Sequence, residues 1–114
     1  MRTEIIFKDI RRSPYIENFI TDKIDALNDK IGPLNSDLHW TVRVQEERLS
    51  TSARHPVFHC EITLKSGVSS KPQVVTKQDR NLFRAIVAAF DTVKVLLSKT
   101  HERLRQDHRQ ARPL

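Results

Sequence analysis

Lys99 and Arg103 stand four residues apart, and Lys23 and Lys30 stand seven apart. Both spacings return a helix to one flank, where cationic side chains can bond phosphate oxygens of a nucleic acid. Two further basic groups precede helix starts. Lys8, Arg11 and Arg12 lead into Ser13-Pro14, and Lys77 and Arg80 lead into Asn81. The plainer reading of all of these is a solvated surface, with Lys23 and Lys30 paired at little energetic effect to Asp22, Asp25 and Asp29. Arg105, Arg109 and Arg112 follow near the end of the chain, where they add nonspecific attraction rather than a site.

Other chemistries find no constellation. His55, His59 and Cys60 are the nearest approach to a metal set, but adjacent strand residues 59 and 60 point to opposite faces. Zinc would need a fourth ligand that no standard spacing supplies, so no metal and no cofactor are expected and Cys60 reads as a small core residue. With two glycines in the chain there is no phosphate-cradling loop, and no nucleophile elbow or paired carboxylates occur. An enzyme built on His39 or His59 is therefore not expected. A single tyrosine, Tyr15, and few other aromatics also argue against a base-stacking sheet.

Charge narrows the partner. The net charge of +6 is unevenly spread. Residues 1–12 carry a net +2, residues 13–46 a net −3, residues 47–93 a net +3 and residues 94–114 a net +4. Such a directional field favours polyanions through counterion release. No run of eighteen apolar residues occurs, so no membrane span is expected, and the charged amino terminus does not read as a signal peptide. One cysteine permits no intramolecular disulfide, which fits a reducing cytoplasm.

The elements that must position the basic residues follow from periodicity. A first strand is expected over Thr3–Ile10, with Ile5 and Phe7 inward. Ser13-Pro14 starts a helix that runs to Ile31 and stops at Gly32-Pro33. On that helix Ile16, Ile20, Ile24, Leu27 and Ile31 form one stripe, with Lys23 and Lys30 at its border beside Phe19. Leu38, Trp40, Val42 and Val44 alternate with polar residues, as do Phe58, Cys60, Ile62 and Leu64, predicting two half-buried antiparallel strands. A weaker strand is expected near Gln73–Lys77. A second helix begins near Asp79–Asn81 and aligns Leu82, Phe83, Ile86, Phe90, Val93, Leu97 and Leu104. The result is an α+β domain over residues 1–105 in the order β-α-β-β-β-α, an antiparallel four-stranded sheet with two helices on one face. Residues 106–114 lack an apolar face and read as a basic, frayed tail.

This order, with IIFKDIRRSPYIENFITDKIDAL at the start and NLFRAIVAAFDTV later, resembles the ribosome hibernation-promoting factors, also called sigma-54 modulation proteins. Lys8, Ser13, Ile16, Phe19, Ile20, Lys23 and Ile24 fall at matching places, as do Asn81, Leu82, Phe83, Ala85 and Ile86. The resemblance implies a short-form relative that binds ribosomal RNA of the small subunit in the decoding channel. There, basic residues of both helices would contact RNA where messenger and transfer RNA normally sit, leaving a silent, protected ribosome under stress.

Three positions depart from the family pattern. Glu17 stands where the family usually has arginine, and Thr92 and Val95 where it usually has basic residues. Lys99 is retained, which singles out Lys99 and Arg103 as the helix-two contacts, while Lys94 points about 140° away from Lys99 on a helical wheel. Val95, with Leu96 and Ala88 nearby, motivates an alternative: a homodimerising regulatory module that kept the fold and lost tight ribosome binding.

Overall fold

The computed structural model describes residues 2–31, 38–47, 56–66 and 71–110, with side chains at these positions except 30, 31, 66 and 99–110. In chain order the elements are β1 (Arg2–Lys8), α1 (Pro14–Ile31), β2 (Leu38–Glu47), β3 (Val57–Ser66), β4 (Gln73–Asp79) and α2 (Leu82–Gln110). This is the expected α+β order. The strands lie in one sheet in sequence order, β1-β2-β3-β4.

The sheet is mixed, where a fully antiparallel one is expected from sequence. β2–β3 and β3–β4 are antiparallel, but β1 pairs parallel to β2. The reason is the connection. The 18 residues of α1 carry the chain about 27 Å back along the sheet, so β2 starts at the end where β1 started. Alternation of side chains reports which face a residue takes and carries no information on strand direction.

Register explains the core. Ile5, Val42, Ile62 and Val75 are successive cross-strand partners on one face, and Phe7, Val44 and Cys60 form the next row. Against this face α1 sets Ile20, Ile24 and Leu27, and α2 sets Leu82, Ala85, Ile86, Ala89, Phe90 and Val93. Trp40 is fully buried at the junction. Its ring stacks on Phe90 at 6.1 Å, and its Nε1–H donates to Asn28 Oδ1 at 3.3 Å, so the indole's one donor is satisfied where both helices meet β2. α2 lies over β3 and β4.

The other sheet face is polar, with His39, Thr41, Arg43 and Gln45 of β2 beside Lys65, Thr63, Glu61 and His59 of β3. His59 Nε2 meets Glu47 Oε2 at 2.6 Å on this face. Cys60 points into the core, where burial and the charge of Glu61 push its thiol up from 9.0 to about 12. His59 and Cys60 thus occupy opposite faces, the arrangement that argues against a shared metal ion.

Capping sets both helix starts. β1 ends at Lys8, earlier than the expected Ile10, because Asp9 takes a left-handed conformation with φ 58° that breaks the strand. Ser13 then caps α1, its Oγ accepting from Ile16 N at 3.4 Å and its carbonyl from Glu17 N at 3.0 Å. Asn81 caps α2 in the same way, accepting from Arg84 N at 3.2 Å, while Asp79 Oδ1 holds Asn81 N at 2.9 Å. The backbone of α2 continues to Gln110, past Leu104, the last residue of the apolar stripe.

Candidate nucleic-acid interface

The two helices lie side by side and run in the same direction. Near their starts, the Tyr15 and Phe19 rings both meet Phe83 edge-on, at 5.8 and 5.2 Å. Further along, Lys23, Ala26 and Leu27 of α1 face Phe90, Asp91 and Lys94 of α2 across a shallow cleft of about 140 Å³. The seam between the helices therefore runs from an aromatic end to a basic cleft.

Local packing positions the cations of this seam. Lys23 is half-buried and its Nζ sits 5.6 Å from the Phe19 ring centroid. Its stem covers the core edge while the ammonium stays at the surface, held by the ring's negative face. Lys94 is exposed on the opposite wall. Asp91 lies between the two and offsets part of their charge. Lys94 lines this cleft although it points about 140° away from Lys99 on the helical wheel. Phe83 and Phe90 mark the flank of α2 that meets α1, and position 94 follows 90 by one turn on that flank. That spacing is the signal that finds Lys94.

The other basic residues divide. Arg12 is turned back onto the fold: its guanidinium bonds Glu17 Oε1 at 2.9 Å and the Ile5 carbonyl at 3.3 Å, and lies 5.4 Å from the Phe7 ring centroid. It fastens β1 to α1. Arg11 and Arg80 are exposed ahead of the two capped helix starts, and Arg84 is exposed in the first turn of α2. None of the three makes an ion pair with a described residue. Lys8 is the last residue of β1 and, in register with Gln45, lies on the polar sheet face away from the helices. Lys77 lies inside β4, which runs two residues past the expected strand end to Asp79, and shares a row with Cys60 at the sheet edge. Lys30, Lys99 and Arg103 stand on α1 and α2, but their side chains lie outside the described ones.

Val95 is 52% exposed. Of its two apolar neighbours, Leu96 turns to pack against the core and Ala88 is half-buried.

Solved structures share this fold, two of them as follows. The Protein Y N-terminal domain of Thermus thermophilus superposes with a TM-score of 0.66 at 16% identity, covering 88% of this chain and 99% of that one. A ribosomal subunit interface protein of Coxiella burnetii superposes with a TM-score of 0.61 at 11% identity, covering 90% and 99%. No curated protein matches the chain by sequence. The family described as sigma 54 modulation protein / S30EA ribosomal protein matches residues 3–105, from β1 into the distal part of α2. The match spans all four strands and both helix starts: the chain belongs to the sigma-54 modulation protein / S30EA ribosomal protein family, a family of ribosome-associated, non-enzymatic modulation factors.

Proposed function

We propose that this protein is a cytoplasmic hibernation factor that binds ribosomal RNA of the small subunit in the decoding channel, silencing the ribosome under stress. The observation that carries the reading is the convergence of Lys23 and Lys94 on one cleft between parallel helices, with Arg11, Arg80 and Arg84 exposed near the helix starts. Phosphates spaced along an RNA strand suit cations spaced along a seam. A structural neighbour from Coxiella burnetii carries the name ribosomal subunit interface protein, which supports a ribosomal place of action. Residues 1–105 act as the binding domain, and Arg105, Arg109 and Arg112 add nonspecific attraction.

The test is co-sedimentation with separated ribosomal subunits, repeated with transfer and messenger RNA bound. The protein is expected to travel with the small subunit and to be displaced when the channel is filled. Binding that is indifferent to transfer and messenger RNA would place it elsewhere on the subunit.

The half-exposed Val95 favours one other reading, a homodimer through α2. Gel filtration separates the two: a dimer that Val95→Arg dissociates, in a protein that stays free of ribosomes at every salt concentration, supports the second.

A further inference from the structure

Tyr15 is 71% exposed, the most exposed large side chain of the described apolar and aromatic set. It is nevertheless fixed in place. Pro14 and the Ser13 cap set the first turn of α1, and the tyrosine ring rests edge-on against Phe83 with an interplanar angle of 76°. An edge-on contact uses the ring of one partner and the edge of the other, so a second aromatic face is left for a ligand. Phe83 is in turn braced by Phe19, and Phe19 carries Lys23. The seam thus reads Tyr15, Phe83, Phe19, Lys23, Lys94: an exposed ring at one end and cations at the other. By helix rise, Tyr15 lies about 12 Å from Lys23.

We infer that Tyr15 is a base-stacking platform, taking one unpaired nucleobase of the RNA whose backbone phosphates Lys23 and Lys94 bond. The inference rests on the RNA-binding reading above and adds the recognition of a base to it. Its chemistry is that of single-strand binders, in which an aromatic face holds a base of any sequence beside a cationic track. Arg84, adjacent to Phe83 and exposed without an ion pair to a described residue, supplies positive charge at the same end of the seam. Glu17 is removed from competition there by its bond to Arg12.

The experiment compares Tyr15→Ala, Tyr15→Phe, Tyr15→Trp and Lys23→Glu for binding to small subunits and to a short single-stranded RNA. Tyr15→Ala should weaken binding by roughly 5- to 100-fold, the range of one lost aromatic–base stack. Tyr15→Phe should bind like the parent, because the ring and not the hydroxyl makes the stack. The salt dependence of Tyr15→Ala should be unchanged, since no phosphate contact is lost, and its melting temperature should hold because the ring is mostly exposed. In Tyr15→Trp, the new indole fluorescence should be quenched by the RNA oligonucleotide, while the buried Trp40 supplies a constant background. Full affinity in Tyr15→Ala together with weakened binding in Lys23→Glu would overturn the platform and leave the RNA-binding reading standing. Absence of binding by the parent protein overturns both.

Discussion

At the residue scale, the same side-chain type does different work according to what it touches. Arg12 is tied to Glu17, the Ile5 carbonyl and Phe7, whereas Lys23 is lifted off the core by Phe19 and faces a cleft. Their substitutions should differ accordingly. Arg12→Ala is expected to lower stability by at most about 1 kcal/mol, because the Arg12–Glu17 pair is largely exposed and the ring packing adds little, with ribosome binding retained in the folded protein. Denaturant titration and co-sedimentation of one preparation check both halves. Cys60 gives a pH prediction. Its thiol is raised in the folded state, so the stabilisation from burying the neutral form is complete below pH 9 and is lost as pH rises toward about 12. The unfolded chain binds fewer protons in that window, which fixes the sign. Stability should therefore fall more steeply above pH 9 in the parent than in Cys60→Val, measured by urea unfolding across that range. Parallel slopes would mean that the thiol is not held in its neutral form.

At the element scale, the two helices share one apolar anchor. Phe90 stacks on Trp40 and also forms the floor of the cleft between Lys23 and Lys94. Phe90→Ala should cost about 3–5 kcal/mol, a large part of a small domain's stability. An unchanged melting temperature would show that the ring is not part of the core. Much of this was legible beforehand. The alternations Leu38–Val44 and Phe58–Leu64 and the stripes on both helices gave the right faces, because burial on one side imprints a period. What alternation cannot carry is strand direction, and the parallel β1–β2 pair went unread for that reason. Asp9 ended β1 early through a backbone conformation that residue type alone permits but does not require. Lys94 is not legible in the sequence, because a helical wheel does not say which flank meets the neighbouring helix; the contacts of Phe83 and Phe90 do. The place of the exposed Tyr15 at the head of a helix seam likewise comes only from packing.

At the scale of the whole molecule, the fold separates two surfaces. The helix side presents the seam with its cations and Tyr15, and the sheet side is a mosaic in which His59 faces Glu47 and Arg43 lies opposite Glu61. Opposite charges alternate on the sheet face, so a polyanion gains little there, whereas in the cleft Lys23 and Lys94 outnumber Asp91. Charge reversal of Lys65, on the sheet face, should therefore change ribosome affinity by less than about threefold, since only long-range, screened charge is altered. The central claim is that the helix seam neutralises RNA phosphates. Its most direct test is the salt dependence of small-subunit binding by the parent and by the Lys23→Gln, Lys94→Gln pair. The parent should show log K falling with log salt at a slope of about −3 to −5, as expected for four to six phosphate contacts, and the double variant a slope shallower by about 2. A parent slope near zero, or a double variant with the parent's slope, would contradict the account.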